Sequence, residues 1–136
     1  MRDTIFSAAL SPVTAAAAQA AFKLLDIEGA TRCRQLMSDV RHFIRRLHEE
    51  GFDTGDTGAA IVPVLLGNET LAFAMAGQCN VEGIYVMPVI YPAVPKGTER
   101  LRMNVTCDHR REELDYAVGA LVRARTAVEE RPFLNR

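Results

Sequence analysis

The most chemically suggestive pattern in the sequence is a short run of alternating polar and apolar residues, Arg100-Leu101-Arg102-Met103-Asn104-Val105. Alternation at a period of two is the pattern of a half-buried strand, and it puts Arg100, Arg102 and Asn104 on one face. Leu101 and Met103 on the other face would hold the backbone in place. An arginine held in this way offers a planar fork able to make two parallel hydrogen bonds to a carboxylate, and it could equally pair with an acid on an exposed sheet face. Ser7, in Ile5-Phe6-Ser7-Ala8-Ala9-Leu10-Ser11-Pro12, lies just ahead of a helix start. Such a place suits a phosphate oxygen, although a serine there is also an ordinary cap. His109 could serve as a general base or as a structural residue at the head of a helix. The sequence offers no nucleophile, base and orienter set, no glycine-rich phosphate loop and no metal-ligand cluster.

The elements that must position these residues follow from periodicity and punctuation. Ser11-Pro12 starts a first helix, alanine-rich over residues 13–25, and Gly29 supplies a break. A second helix follows from Thr31, with Cys33, Leu36, Met37, Val40, Phe43, Ile44 and Leu47 at three-and-four spacing and Gly51 as its C-terminal glycine. Residues 59–66 read as a strand. Asn68 caps a helix over 69–78, and 84–90 form a second strand that Pro88 weakens at its far end. Pro92, Pro95 and Gly97 make a turn-rich connection to the arginine strand. A last helix presents Leu114, Ala117, Val118, Leu121 and Val122, with Asp108 as its expected cap. The order predicts a two-layer α+β domain, an antiparallel meander with helices packed on one face. Residues 1–128 form the domain and 129–136 a loose tail.

Composition narrows the partners. In 136 residues, 49% hydrophobic and 24% charged, one compact domain with a core is the default. Sixteen Lys and Arg against 17 Asp and Glu leave a net charge of −1, too weak a field to attract nucleic acid or an anionic membrane. No apolar stretch is long enough for a membrane span, and the N-terminus lacks a secretory pattern, so the expected location is the cytoplasm. Cys33, Cys79 and Cys107 are odd in number and scattered, and read as small hydrophobes.

Three segments together carry a resemblance: Ile5-Phe6-Ser7 with Leu10-Ser11-Pro12; Ile61-Val62-Pro63-Val64 with Gly67; and Gly83-Ile84-Tyr85-Val86 through the run from Pro92 to Arg102. In order and spacing they are similar to the C-terminal part of the pyridoxal-phosphate-dependent α-oxoamine synthases, a class II aminotransferase-like family. It includes 5-aminolevulinate synthase, 2-amino-3-ketobutyrate coenzyme A ligase, 8-amino-7-oxononanoate synthase and serine palmitoyltransferase.

The resemblance implies the small domain of a fold-type I enzyme, packed against a large domain that carries pyridoxal 5'-phosphate on a lysine. It implies a homodimer condensing an amino acid with an acyl thioester, with the cofactor as electron sink. Arg102 matches the arginine that binds the amino-acid carboxylate, and Ser7 the hydroxyl residue that reaches the partner's cofactor phosphate. Ala8 stands where a second hydroxyl often follows, and Arg110 stands where the family has a threonine after the histidine matched by His109. Lys23 and Lys96 fall in the wrong contexts for the lysine that forms the Schiff base. The expectation is a piece of an α-oxoamine synthase that is inactive alone. The alternative is a freestanding α+β module that binds an amino acid or dimerises without catalysis.

Overall fold

The computed structural model describes residues 10–130, which leaves Ser7 and the residues from 131 onward outside the described part. The chain divides into two units, residues 1–34 and 35–136.

The first element is one helix, α1 (Pro12–Glu49), where the sequence predicts two. Gly29 does not break it. A mid-helix glycine costs only about 1 kcal/mol against alanine, and here Arg32 donates to Glu28 at 2.8 Å across the glycine, while the alanine-rich flank favours helix throughout. The start is as expected, Ser11 Oγ accepting from Thr14 N–H at 3.2 Å. The first unit's helical residues leave Val13, Phe22, Leu25 and Ile27 exposed.

In the second unit, α1 ends in a Schellman motif. Gly51 N–H donates to His48 O and Phe52 N–H to Leu47 O, both at 3.0 Å, with Gly51 at φ 77°. Then follow β1 (Ile61–Leu65), α2 (Glu69–Val81), β2 (Met87–Val89), β3 (Arg100–Asn104) and α3 (Arg111–Glu129). Asn68 caps α2 by accepting from Leu71 N–H at 2.9 Å. The helix leaves through a second Schellman pair, Gly83 N–H to Asn80 O and Ile84 N–H to Cys79 O. Ile84 is thereby drawn into the helix exit, and β2 is shorter than the predicted 84–90. α3 is preceded by Arg110 rather than Asp108 as its N-cap. Glu113 supplies the local satisfaction, accepting from Arg110 N–H at 2.8 Å and from the Arg110 guanidinium at 3.0 Å.

The sheet is antiparallel, but its order is β1-β3-β2, so it is not a meander. The last strand inserts between the two earlier ones, pairing Pro63 with Arg102 on one side and Met87 with Arg102 on the other. The faces divide as the alternation predicts. Val62, Val64, Leu101 and Met103 are buried with Phe43 and Leu47 of α1, Met75 and Cys79 of α2, and Leu114, Val118 and Leu121 of α3. Each such side chain contributes about 1.5–3 kcal/mol by burial. All three helices supply this one core, and among the described residues no helix packs on the opposite sheet face. Among the described residues no helix is long and apolar enough to cross a membrane.

Candidate functional site

The face that no described helix covers is where the alternation places its polar residues. Arg102 and Asn104 are exposed and Arg100 half-buried. Because β3 is the middle strand, ladders on both sides fix the backbone at Arg102 while its side chain stands out from the sheet. The Arg100 root is held separately, its Nε donating to Thr98 O at 2.8 Å. Thr98 belongs to a tight turn in which its own N–H and hydroxyl both reach Pro95 O, and the buried Glu99 accepts from Gly97 N–H at 2.9 Å. Glu99 O in turn receives Leu66 and Gly67 N–H groups, tying the turn to the end of β1. The Pro95 to Glu99 turn is thus a fixed mount for the arginine strand.

Among the described residues Arg102 has no acidic partner, although many other arginines do. Arg46 donates to Asp115 at 3.1 Å, Arg111 to the buried Asp39 at 3.3 Å and Arg123 to Glu82 at 2.7 Å. Burial alone would raise the Asp115 carboxyl, but hydrogen bonds from His42 and Arg46 outweigh it and hold it below the usual carboxylate range. Arg102 instead borders two concavities. One, of about 500 Å³, is lined by Arg100 and Arg102 together with Ile61, Leu65, Val89 and the loop residues Asp56 and Thr57. The other, of about 260 Å³, lies between Arg102, Asn104, Tyr85 and Met87. A guanidinium with a fixed root, apolar neighbours and no internal counter-ion is suited to an anionic ligand.

The other candidates separate from this site. His109 Nδ1 accepts from Thr106 N–H at 2.9 Å, which occupies that lone pair and makes the ring a fastener of the β3–α3 turn. Ser7 lies outside the described residues. Lys96 sits with Nζ 5.3 Å from the Tyr91 ring centroid, and Lys23 lies on the exposed helix of the first unit; neither lysine lines the concavities at Arg102. The residues around Arg102 can hold a carboxylate, and they supply no amine there for the aldehyde of pyridoxal phosphate. Cys79 is buried, and burial pushes its thiol up to about 11, which makes it unreactive. No metal-holding cluster occurs among the described residues. Asp56, Thr57 and Tyr85 at the site were not legible beforehand, since nothing in a loop or strand-edge sequence announces which concavity it will line.

The aminotransferase class I and II family model matches residues 1–121. The 8-amino-7-oxononanoate synthase of Thermoanaerobacter pseudethanolicus is 37% identical over 119 residues, 88% of this chain and 30% of that protein. That of Geobacter sulfurreducens is 39% identical over 123 residues, 90% of this chain and 32% of that protein. In solved structures, the serine palmitoyltransferase of Sphingomonas wittichii matches with a TM-score of 0.80 at 28% identity, over 93% of this chain and 32% of that one. The chain spans about a third of the length of these relatives. On sequence and fold together, the chain belongs to the aminotransferase class I and II family, among relatives that are α-oxoamine synthases.

Proposed function

We propose that residues 1–128 are the small C-terminal domain of a pyridoxal-phosphate-dependent α-oxoamine synthase, an acyltransferase condensing an amino acid with an acyl thioester. Arg102 holds the amino-acid carboxylate. The observation that carries this reading is the guanidinium on the middle strand of a sheet face that no described helix covers, with no acid paired to it among the described residues.

The task of this chain is to bind and orient. Two parallel hydrogen bonds from Arg102 fix the carboxylate plane and hence the rotation of the Cα bonds. The core beneath, through Leu101 and Met103, lets the strand hold that geometry without adjustment. Pyridoxal phosphate, held by the large domain, supplies the electron sink that makes a Cα bond labile. Ser7 extends to the cofactor phosphate across a homodimer; the family resemblance is its support.

The test is direct. The complete protein, loaded with pyridoxal phosphate, is given small amino acids with a panel of coenzyme A thioesters, and free thiol is titrated. Amino-acid-dependent thiol release is expected. A folded, cofactor-loaded protein that releases thiol with no amino acid in the panel would sink the proposal in favour of a module that binds without catalysis.

A further inference from the structure

Part of the wall of the larger concavity at Arg102 is a loop, Thr54-Gly55-Asp56-Thr57, and a helix holds that loop from behind. Several bonds tie the loop to itself and to β1. Leu65 N–H donates to Asp53 O at 2.8 Å, the Thr57 hydroxyl donates to Ile61 O at 3.2 Å, and Gly55 N–H donates to Asp53 Oδ1 at 2.8 Å. A further bond comes from α1. Thr54 is 0% exposed, and its hydroxyl lies 2.7 Å from His48 Nε2, in the last turn of that helix. Among the described residues this is the hydroxyl's one hydrogen bond. Because a hydroxyl both donates and accepts, the bond forms with either tautomer of the ring. The turn that carries His48 is itself fixed, with Leu47 in the core and the Gly51 and Phe52 N–H groups closing the helix end. Gly55, at φ 58°, bends the chain directly after Thr54, so the position of Thr54 sets where Asp56 and Thr57 stand.

We propose that His48 is a positioning residue: through the Thr54 hydroxyl it fixes the loop wall beside Arg102, and so sets amino-acid affinity without touching the ligand. This rests on the reading of Arg102 as a carboxylate clamp. Removing the imidazole leaves the Thr54 hydroxyl buried without a partner, and the loop relieves that cost by moving toward water. His48 is exposed on α1, so its loss opens no cavity in the core.

Steady-state kinetics of the complete protein with varied amino acid, read beside amide hydrogen exchange of residues 53–58, tests it. His48→Ala raises the KM for the amino acid about tenfold, keeps kcat within about twofold, and speeds exchange in 53–58 while β3 exchanges as before. His48→Gln, whose amide nitrogen reaches the place of Nε2, restores most of both. Thr54→Val keeps the shape and removes the hydroxyl. In the double variant, His48→Ala with Thr54→Val costs less than the product of the single changes, because both break one bond. A histidine that served stability alone would lower the thermal midpoint and leave KM where it was. That outcome overturns the proposal, as does a fall in kcat at constant KM, or single effects that simply multiply in the double variant. Arg102→Ala reads the clamp separately. If it leaves KM unmoved, or if no amino acid is turned over, the reading of Arg102 fails, and exchange of residues 53–58 in His48→Ala still decides whether His48 holds the wall.

Discussion

Replacing Arg102 with alanine in the complete enzyme removes two charge-assisted hydrogen bonds and leaves nothing else broken. The side chain is exposed and without an acidic partner among the described residues, so no buried group is orphaned and folding stability should move by less than about 0.5 kcal/mol. The cost therefore falls on the ligand. Hydrogen bonds to a charged group contribute about 1.5–3 kcal/mol each, and two of them on a partly solvated face sum to the low end, about 3 kcal/mol, or roughly a hundredfold. Steady-state kinetics with varied amino acid should show kcat/KM falling by that factor while the thermal midpoint holds. Arg102→Lys should recover part of the binding and less of the turnover, since an ammonium attracts the carboxylate without fixing its plane. Normal amino-acid affinity and turnover in Arg102→Ala, in protein of unchanged thermal stability, would refute the clamp.

Mixed with pyridoxal phosphate and reduced with borohydride, this 136-residue chain should yield only scattered lysine adducts, because Lys96 is stacked on Tyr91 and Lys23 is a surface residue; one stoichiometric adduct with its own visible spectrum would contradict this. In the folded protein iodoacetamide should label the exposed Cys33 first and Cys79 only after denaturation. Because Cys79 keeps its proton to about pH 11 when folded and loses it near 8.5 when unfolded, its linkage should lower stability as pH rises from about 8.5 to 11, read by denaturant titration. Gly29→Ala should stabilise α1 by about 1 kcal/mol, since the added Cβ would meet Leu25 Cδ2 at an ordinary 3.6 Å; a lower thermal midpoint would show that the glycine is needed for close approach.

The parts of this fold that local chemistry decides were legible. Ser11, Asn68 and Gly51 act at helix ends as their side chains or lack of one dictate, and the alternation of residues 100–104 assigns both faces of β3 correctly. What failed was either marginal or long-range. Gly29 marks a penalty and not a boundary, and a roughly 1 kcal/mol penalty is absorbed within a 38-residue helix rich in alanine ahead of it. Strand order depends on which edge the arginine strand finds after the whole of α2 and β2 has intervened, and no window of sequence contains that pairing. The cap at Arg110 does not show in the cap residue itself, because the useful signal is Glu113, three residues further on, reaching back. At the site, Arg102 was legible through its strand, whereas the loop carrying Asp56 and Thr57 came only with the three-dimensional arrangement.

β3 does two jobs on a period of two, and that restricts how such a domain can diverge. Inserting or deleting one residue within the strand would carry Leu101 and Met103 to the open face and drive the arginines into the core, abolishing folding and ligand contact in one event. Length variation is thereby confined to segments such as residues 55–60, where an indel reshapes the concavity and leaves the anchor in phase. Descendants of such a domain can change the dimensions of what they hold without changing where they hold it, and their gaps in an alignment should fall in the walls and never in the post.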